Sequence, residues 1–493
     1  MRAFLGHDMH FKSILRMLSI ILLIVSIFSL ICGIYSIVED LSWRVSFSLF
    51  IPTIISLAFF IVMYLMTRHD EKPFLTKKDS FLFVAFSWVF SSALGAIPFT
   101  FSGYIPSYID AFFETVSGFT TTGASILTDI EIIPRPLLLW RATTHWLGGM
   151  GIVVLLVAIL PSLGFSAIRI MEAESPSPEV DRITPRISKT AKTLWLIYCG
   201  FTVCEIILLV LGGMPLFDAI CHSFATMATG GFGTKNASIA YYKSGFIQWV
   251  ITIFMFLAGT NFTLHYHFLK GRMSTILLDT EFRVYLGIFA ISSVIIAVDL
   301  FVSGVFVNIG DSLRHASFQV SSILTTTGFA STDFGQWPQL SQTVLFFLMF
   351  IGGCSGSTGG GVKVIRLVVL FKMAVNEMRY VTNPRGVYTI FLGNRALRKN
   401  VIYDISGLVF LYFAFFFLSV LVIAFSGVDL LTNITAVIAN LGNIGPGLGK
   451  VGPAFNYALF PWWAKLWLSL DMLVGRLEVY TVLALFTRKF WRA

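Results

Sequence analysis

Four short segments of the chain share one pattern of threonine, asparagine and glycine. They read TVSGFTTTGAS (115–125), SFATMATGGFG (223–233), VSSILTTTGFA (320–330) and VIANLGNIGPG (437–447). They align without gaps on Gly123, Gly231, Gly328 and Gly445, which lie 108, 97 and 117 residues apart. Asp110-Ala111 and Asp218-Ala219 stand at one offset, thirteen residues before the first two glycines. Behind each segment runs an apolar stretch of about 12 residues, too short to cross a bilayer, near 109–121, 216–229, 312–325 and 430–442. Backbone that is not helical is tolerated at membrane depth only where it lines a cavity. Four such segments around one axis would turn carbonyl oxygens toward a permeating cation and replace its water shell. Glycine permits the φ > 0 that this needs, threonine adds hydroxyl oxygens, and the C-terminal ends of the short helices add negative partial charge. The expected ion-binding positions are Thr121, Thr122 and Gly123; Thr229, Gly230 and Gly231; Thr326, Thr327 and Gly328; and Asn443, Ile444 and Gly445. Ordinary glycine-rich outer turns are the plainer alternative, and four copies at one register disfavour it.

A second constellation is GGCSGSTGGG at 352–361, inside an apolar span. A phosphate-binding loop needs Gly-Lys followed by Ser or Thr, and the chain has Gly361-Val362-Lys363. No strand precedes the run, so a dinucleotide site fails too. An interior glycine costs about 1 kcal/mol relative to alanine, so six in ten residues should melt the helix. An unwound intramembrane loop built from Gly352, Gly353, Gly356, Ser357, Thr358, Gly359, Gly360 and Gly361 is expected there. A small-residue packing face is the competing reading. Arg476 lies deep in the last span, where a charged residue costs at least ~2.5–3.5 kcal/mol on insertion scales, so it should face protein or water. A structural arginine on backbone carbonyls and a functional charge both satisfy that demand. Carbonyls freed by the broken helix are its natural partners, and Glu478 should point elsewhere.

The remaining polar residues suggest less. His145, His265 and His267 read as packing histidines more readily than as proton carriers. Asp471 is expected to be buried beside some basic group. The five cysteines show no CxxC spacing and read as small apolar residues. No HExxH, paired-aspartate or GxSxG pattern occurs, so no enzyme and no cofactor are expected.

These residues must be held by a membrane-embedded frame. Of the 493 residues 56% are hydrophobic and only 12% charged, and the mean hydropathy is +0.81. Soluble domains carry about 25% charged residues. Ten apolar runs approach or exceed 20 residues: 13–38, 46–66, 79–99, 136–164, 191–214, 245–269, 284–307, 340–371, 401–426 and 462–487. The longest polar stretch, 172–192, reads as a loop. Of the 35 Lys and Arg residues, 26 fall on one side of this arrangement and eight on the other, with Arg476 inside a span. The positive-inside rule then places both termini in the cytoplasm and the four glycine segments outside. The net charge of +9 is accounted for by topology, so nucleic acid is not an expected partner. The fold class is all-α membrane protein: four tandem helix–pore loop–helix repeats around a central pore, preceded by two extra transmembrane helices. The expected boundaries are 1–70 for the leading pair and 71–166, 167–270, 271–385 and 386–493 for the repeats, the third with an interrupted second helix.

ETVSGFTTTGAS (114–125), WRATTHWLGGMGIVVL (140–155), GGCSGSTGGGVKVIR (352–366), NLGNIGPGLG (440–449) and GRLEVYTVLALFT (475–487) together carry a resemblance. The chain resembles the Trk/Ktr/HKT superfamily of cation transporters over essentially its whole length, most closely the bacterial Trk-type potassium-uptake membrane subunits. The resemblance implies a potassium filter at the four glycines, a gate made of the 352–361 loop and Arg476, and Glu114 supporting the filter from behind. It also implies a homodimer in the bacterial inner membrane and a cytosolic nucleotide-binding regulatory subunit of the TrkA type. In plant relatives a serine at the first glycine accompanies sodium preference, and here that position is Gly123. The fourth segment has Asn443-Ile444 where the first and third have two threonines, and no GYG occurs, which predicts imperfect discrimination against sodium. A coupled symporter, exchanging proton or sodium gradients for potassium, is the alternative. Its usual mark is a pair of broken helices in inverted halves, whereas the sequence suggests one broken helix and four units in the same direction.

Overall fold

The structure, a computed structural model, describes residues 10–68, 76–151, 187–393 and 395–491. The described chain is almost wholly helical, and among these residues the only sheet is a hairpin pairing Phe391–Leu392 with Arg395–Ala396. Two long helices, α1 (Phe11–Val38) and α2 (Trp43–Thr67), pack on each other and on α3 (Lys77–Ser102). Only 22% of the most apolar window of α2 is buried, so most of its surface is hydrocarbon left facing outward, as lipid contact requires. Six described helices are long and apolar enough to span a membrane, or seven if one bent pair counts as a span.

The four short apolar stretches are helices of similar length: α4 (Tyr108–Phe119), α7 (Leu216–Met227), α12 (Ile309–Leu324) and α16 (Leu430–Leu441). Ser107 and Asp429 cap α4 and α16 by accepting the N–H of Asp110 and Thr432. Each short helix lies between two others in the chain. The flanks are α3 and α5 (Arg135–Gly149), then α6 (Ile187–Leu211) and α8 (Gly245–Ala258). They continue as α11 (Thr280–Val302) and α13 (Gln339–Leu348), then α15 (Lys399–Ala424) and α17 (Trp462–Leu477). The packing links successive groups: α5 lies on α7, α8 on α12, and α17 returns to α4.

Several expected spans are not continuous. The run 245–269 is α8 followed by α9 (Phe262–Leu269), bent by 103°. The run 340–371 is α13 and, after residues 349–363, α14 (Val364–Thr382). The run 462–487 is α17 and α18 (Val479–Leu485), broken at Glu478, whose φ is +62°. The run 136–164 is helical only to Gly149, and its part beyond 151 is outside the described residues. So the expectation of one broken helix is corrected to three breaks among the described residues. The sequence hides two of them because they are fixed by partners elsewhere in the chain. At 259–261 the carbonyl of Gly259 accepts Cys354 N–H (2.8 Å), that of Ala258 accepts Thr358 N–H (3.3 Å), and Asn261 caps α9 through Thr263 N–H (2.8 Å). The polar stretch 172–192 is also corrected at its end: α6 begins at Ile187, while 172–186 lies outside the described residues, as do 69–75. Two short helices complete the described elements: α10 (Met273–Leu278) before α11, and α19 (Arg488–Trp491) at the end.

Candidate functional site

All four short helices end in the same way. The N–H of Thr122, Gly230, Thr327 and Ile444 reaches back to the carbonyl five residues earlier, at 2.9, 2.8, 2.8 and 2.8 Å. The N–H of Thr121, Thr229, Thr326 and Asn443 reaches the carbonyl three residues earlier. This pair of bonds is a Schellman terminus, which needs a left-handed residue. That residue is not glycine in any of the four: Thr121, Thr229, Thr326 and Asn443 have φ of +56°, +55°, +61° and +55°. A non-glycine held there costs about 1–3 kcal/mol and persists only where the surroundings fix it. Two residues later Gly123, Gly231, Gly328 and Gly445 are left-handed again, at +81°, +80°, +83° and +94°. The sequence reading assigned the threonines hydroxyl oxygens and missed their backbone conformation.

The glycines close a ring. A Cβ on Gly123 would stand 2.1 Å from the carbonyl oxygen of Gly230. One on Gly231 would meet Thr327 O at 2.1 Å, one on Gly328 would meet Ile444 O at 2.1 Å, and one on Gly445 would meet Thr122 O at 2.5 Å. Each glycine is thus pressed by the residue before the next glycine, and the series returns to its start. A cavity of about 150 Å3 has all four glycines in its wall. Tyr457 Oη donates to Gly445 O (2.7 Å), and Asn443 Nδ2 donates to Thr122 Oγ1 (3.0 Å), so the fourth segment is bonded to the first.

The glycine-rich run 352–361 is not helical. It lies against the ring: Gly360 N–H donates to Thr326 Oγ1 at 2.7 Å. Cβ atoms on Gly352, Gly353, Gly359 and Gly360 would come within 3 Å of backbone oxygens of Gly360, Gly259, Thr325 and Gly442 respectively. Gly356 (φ +71°) and Gly361 (φ +65°) are left-handed. Thr358 Oγ1 donates to Ala258 O (3.1 Å), and Ser357 Oγ to Cys354 O (2.6 Å). Glu281 on α11 accepts two N–H groups of this region, Ser355 (2.7 Å) and Ile365 (3.0 Å), and Lys363 Nζ donates to Gly359 O.

Arg476, in the last turn of α17, donates through Nη1 to Thr358 O at 2.6 Å and through Nη2 to Gly149 O at 2.9 Å and to Gly148 O. Its guanidinium joins the loop to the C-terminal end of α5. The Thr358 carbonyl belongs to the expected loop; Gly148 and Gly149 were not foreseen as partners. Arg476, Gly359, Gly360 and Gly361 share the wall of a second cavity, about 190 Å3, with Trp88 and Lys363. Glu478 pairs with Arg366 on α14, both largely buried. Removing one partner of a buried pair costs about 3–5 kcal/mol because it strands the other charge. Glu478→Gln should therefore lower the thermal midpoint of the purified protein markedly. Arg366→Met combined with Glu478→Leu should lower it less, and thermal melts of the three proteins check this.

Glu114 accepts Arg141 Nε (2.7 Å), Ser125 Oγ (3.0 Å) and Ile126 N–H (2.9 Å) behind the first segment. Arg141 is one of the eight basic residues on the minority side of the charge count, yet it is 2% exposed. A charge count along the chain carries no sign of a partner 27 residues away. His145 Nδ1 bonds Gly118 O (2.7 Å) and stacks on Phe232, and His265 Nε2 bonds Leu257 O (2.9 Å). Asp471 accepts Ser419 Oγ (2.7 Å), and no basic group pairs with it among the described residues.

Residues 45–492 match a family described as cation transport protein, TrkH. The chain is 41% identical over 488 residues to the "Trk system potassium uptake protein TrkH" of Salmonella typhimurium strain LT2, covering 98% of this chain and 100% of the relative. It is 41% identical, with the same coverage, to the protein of that name from Escherichia coli K12. The solved structure "Potassium Transporter TrkH from Vibrio parahaemolyticus" superposes with a TM-score of 0.85 at 35% identity, covering 98% of this chain and 100% of that one. On these grounds the chain is a member of the TrkH family of cation transport proteins.

Proposed function

We propose that the chain takes up potassium across the cytoplasmic membrane through a filter made by residues 121–123, 229–231, 326–328 and 443–445. The observation that carries this reading is the closed cycle of contacts, in which every glycine meets the carbonyl before the next one. A ring of that kind supplies backbone oxygens in place of an ion's water shell. The protein is a transporter and not an enzyme, as its relatives are named. Its fold is then four tandem helix–pore loop–helix units, 71–166, 167–270, 271–385 and 386–493, behind two leading helices in 1–70. The charge asymmetry puts both termini in the cytoplasm. The 352–361 loop and Arg476 act as the gate; what supports this is that the loop is bonded to the ring at Thr326 and that Arg476 is bonded to the loop at Thr358. The family resemblance supports a homodimer served by a cytosolic nucleotide-binding subunit of the TrkA type.

The breaks in three spans bear on symport, since broken helices mark many coupled transporters. Here the breaks follow three successive ring segments at comparable positions and are not set in inverted halves. That arrangement favours a pore. Potassium flux in proteoliposomes at a clamped potential should follow the potassium electrochemical gradient and be unchanged by an imposed proton gradient. Flux that reverses with the proton gradient would establish the symporter.

A further inference from the structure

Nine residues before each ring glycine stand Glu114, His222, Gln319 and Ala436. The first three reach the strand of chain that follows the glycine in their own segment. Glu114 accepts Ile126 N–H, Gln319 Nε2 donates to Phe329 O (3.2 Å), and His222 Nε2 faces Thr234 Oγ1 (3.4 Å). The hydrogen bonds of His222 and Gln319 stay within one segment, although the His222 ring packs on Phe329 of the third (5.6 Å between centroids). At Glu114 alone the position is extended by an arginine into the next segment. Arg141, on α5, gives Nε to Glu114 Oε1 at 2.7 Å and Nη1 to Gly233 O at 3.1 Å. Its guanidinium carbon lies 3.4 Å from the centroid of the Phe232 ring. Gly233 and Phe232 directly follow Gly231, and Glu114 supports the residues directly following Gly123.

We infer that Arg141 is a positioning residue for ion selectivity: it fixes the spacing between the first and second quarters of the ring. Three features carry this. Both charges are essentially shut off from solvent, at 2% and 1% exposure, so the pair is not a surface ornament that salt would screen. The guanidinium is planar and forked, so it can bond a carboxylate, bond a carbonyl and lie over a ring at once, which an ammonium cannot do. The two segments it joins meet where a Cβ on Gly123 would be 2.1 Å from Gly230 O, so a shift of a few tenths of an ångström between them alters the ring itself. This inference rests on the potassium-filter reading above.

The test is bi-ionic reversal potential on purified protein in planar bilayers or proteoliposomes, with thermal melts in parallel. Arg141→Lys keeps the charge beside Glu114 and loses the bond to Gly233 O or the stacking on Phe232. It should lower the potassium-to-sodium permeability ratio by about tenfold, equivalent to 1.4 kcal/mol. Glu114→Gln should move the ratio in the same direction, because Arg141 then lacks its anchor. The pair Glu114→Gln with Arg141→Met should recover thermal stability over Arg141→Met alone without recovering the ratio. A purely structural arginine would lower the melting temperature of Arg141→Lys and leave the ratio of the folded protein as in wild type, and that result overturns the inference. Gly328→Ser, far from Arg141 in the ring, separates the two levels. If it lowers the ratio and Arg141→Lys does not, only this inference fails. If neither does, the filter reading fails with it.

Discussion

Gly328→Ser should reduce the potassium-to-sodium permeability ratio by at least about tenfold, a change of 1.4 kcal/mol in relative ion binding. Two independent obstacles stand at this residue. Its φ of +83° is one that L side chains rarely adopt, and leaving it distorts the chain at the ring. A Cβ there would lie 2.1 Å from Ile444 O and 2.9 Å from Pro446 Cδ, and the first contact is with backbone, which has no rotamer to change. The fourth segment must therefore retreat, and the carbonyl that retreats is one of the proposed ion ligands. The same reasoning applies to Gly123 and Gly231, whose Cβ atoms would lie 2.1 Å from carbonyl oxygens. Gly445→Ser should be the mildest of the four, since its corresponding distance is 2.5 Å. Reversal potentials of the four mutants, beside a substitution at the exposed Val307, decide the matter. Ratios unchanged in all four would remove the case for a filter.

Arg476→Ala should conduct potassium faster than wild type, by roughly tenfold if about 1.4 kcal/mol of barrier is lost. A fixed positive charge close to the proposed ion path repels a cation, and repulsion in a narrow protein-lined passage exceeds that in bulk water. The guanidinium also anchors the loop through Thr358 O and the end of α5 through Gly148 O and Gly149 O. Its removal frees the loop and leaves three carbonyls without this donor, so the melting temperature should fall as the flux rises. Arg476→Lys should retain part of the barrier, because the charge stays while the fork that spans both elements is lost. Flux measured on folded, assembled protein checks this. Equal or lower flux in Arg476→Ala would make the residue structural.

The sequence made the ring legible because glycine is the residue that a left-handed backbone beside another backbone demands, so four such places left four glycines in register. The Schellman ends were not legible, since threonine and asparagine occupy the left-handed position against their own preference. The loop at 352–361 was visible from six glycines in ten residues. The breaks at 259–261 and at 478 were not. Glu478 has no glycine's freedom, and its conformation accompanies a pairing with Arg366, 112 residues earlier in the chain. Arg141 was hidden for a similar reason: a count of basic residues assigns a side of the membrane, while its partners Glu114 and Gly233 come from two different segments.

The closed cycle of glycines is made by a single chain, and this changes how such a ring can be altered by mutation. In a ring of four identical subunits every substitution enters four times. A change worth about 0.5 kcal/mol per site would sum to about 2 kcal/mol, turning a roughly twofold effect into a roughly thirtyfold one. Here each quarter has its own codons, and the same substitution is felt once. Asn443-Ile444 in the fourth segment and Gly230 in the second are departures of that single-quarter kind. Ion preference in such a protein is adjustable in small increments, one segment at a time, with the other three holding the geometry while the fourth is revised.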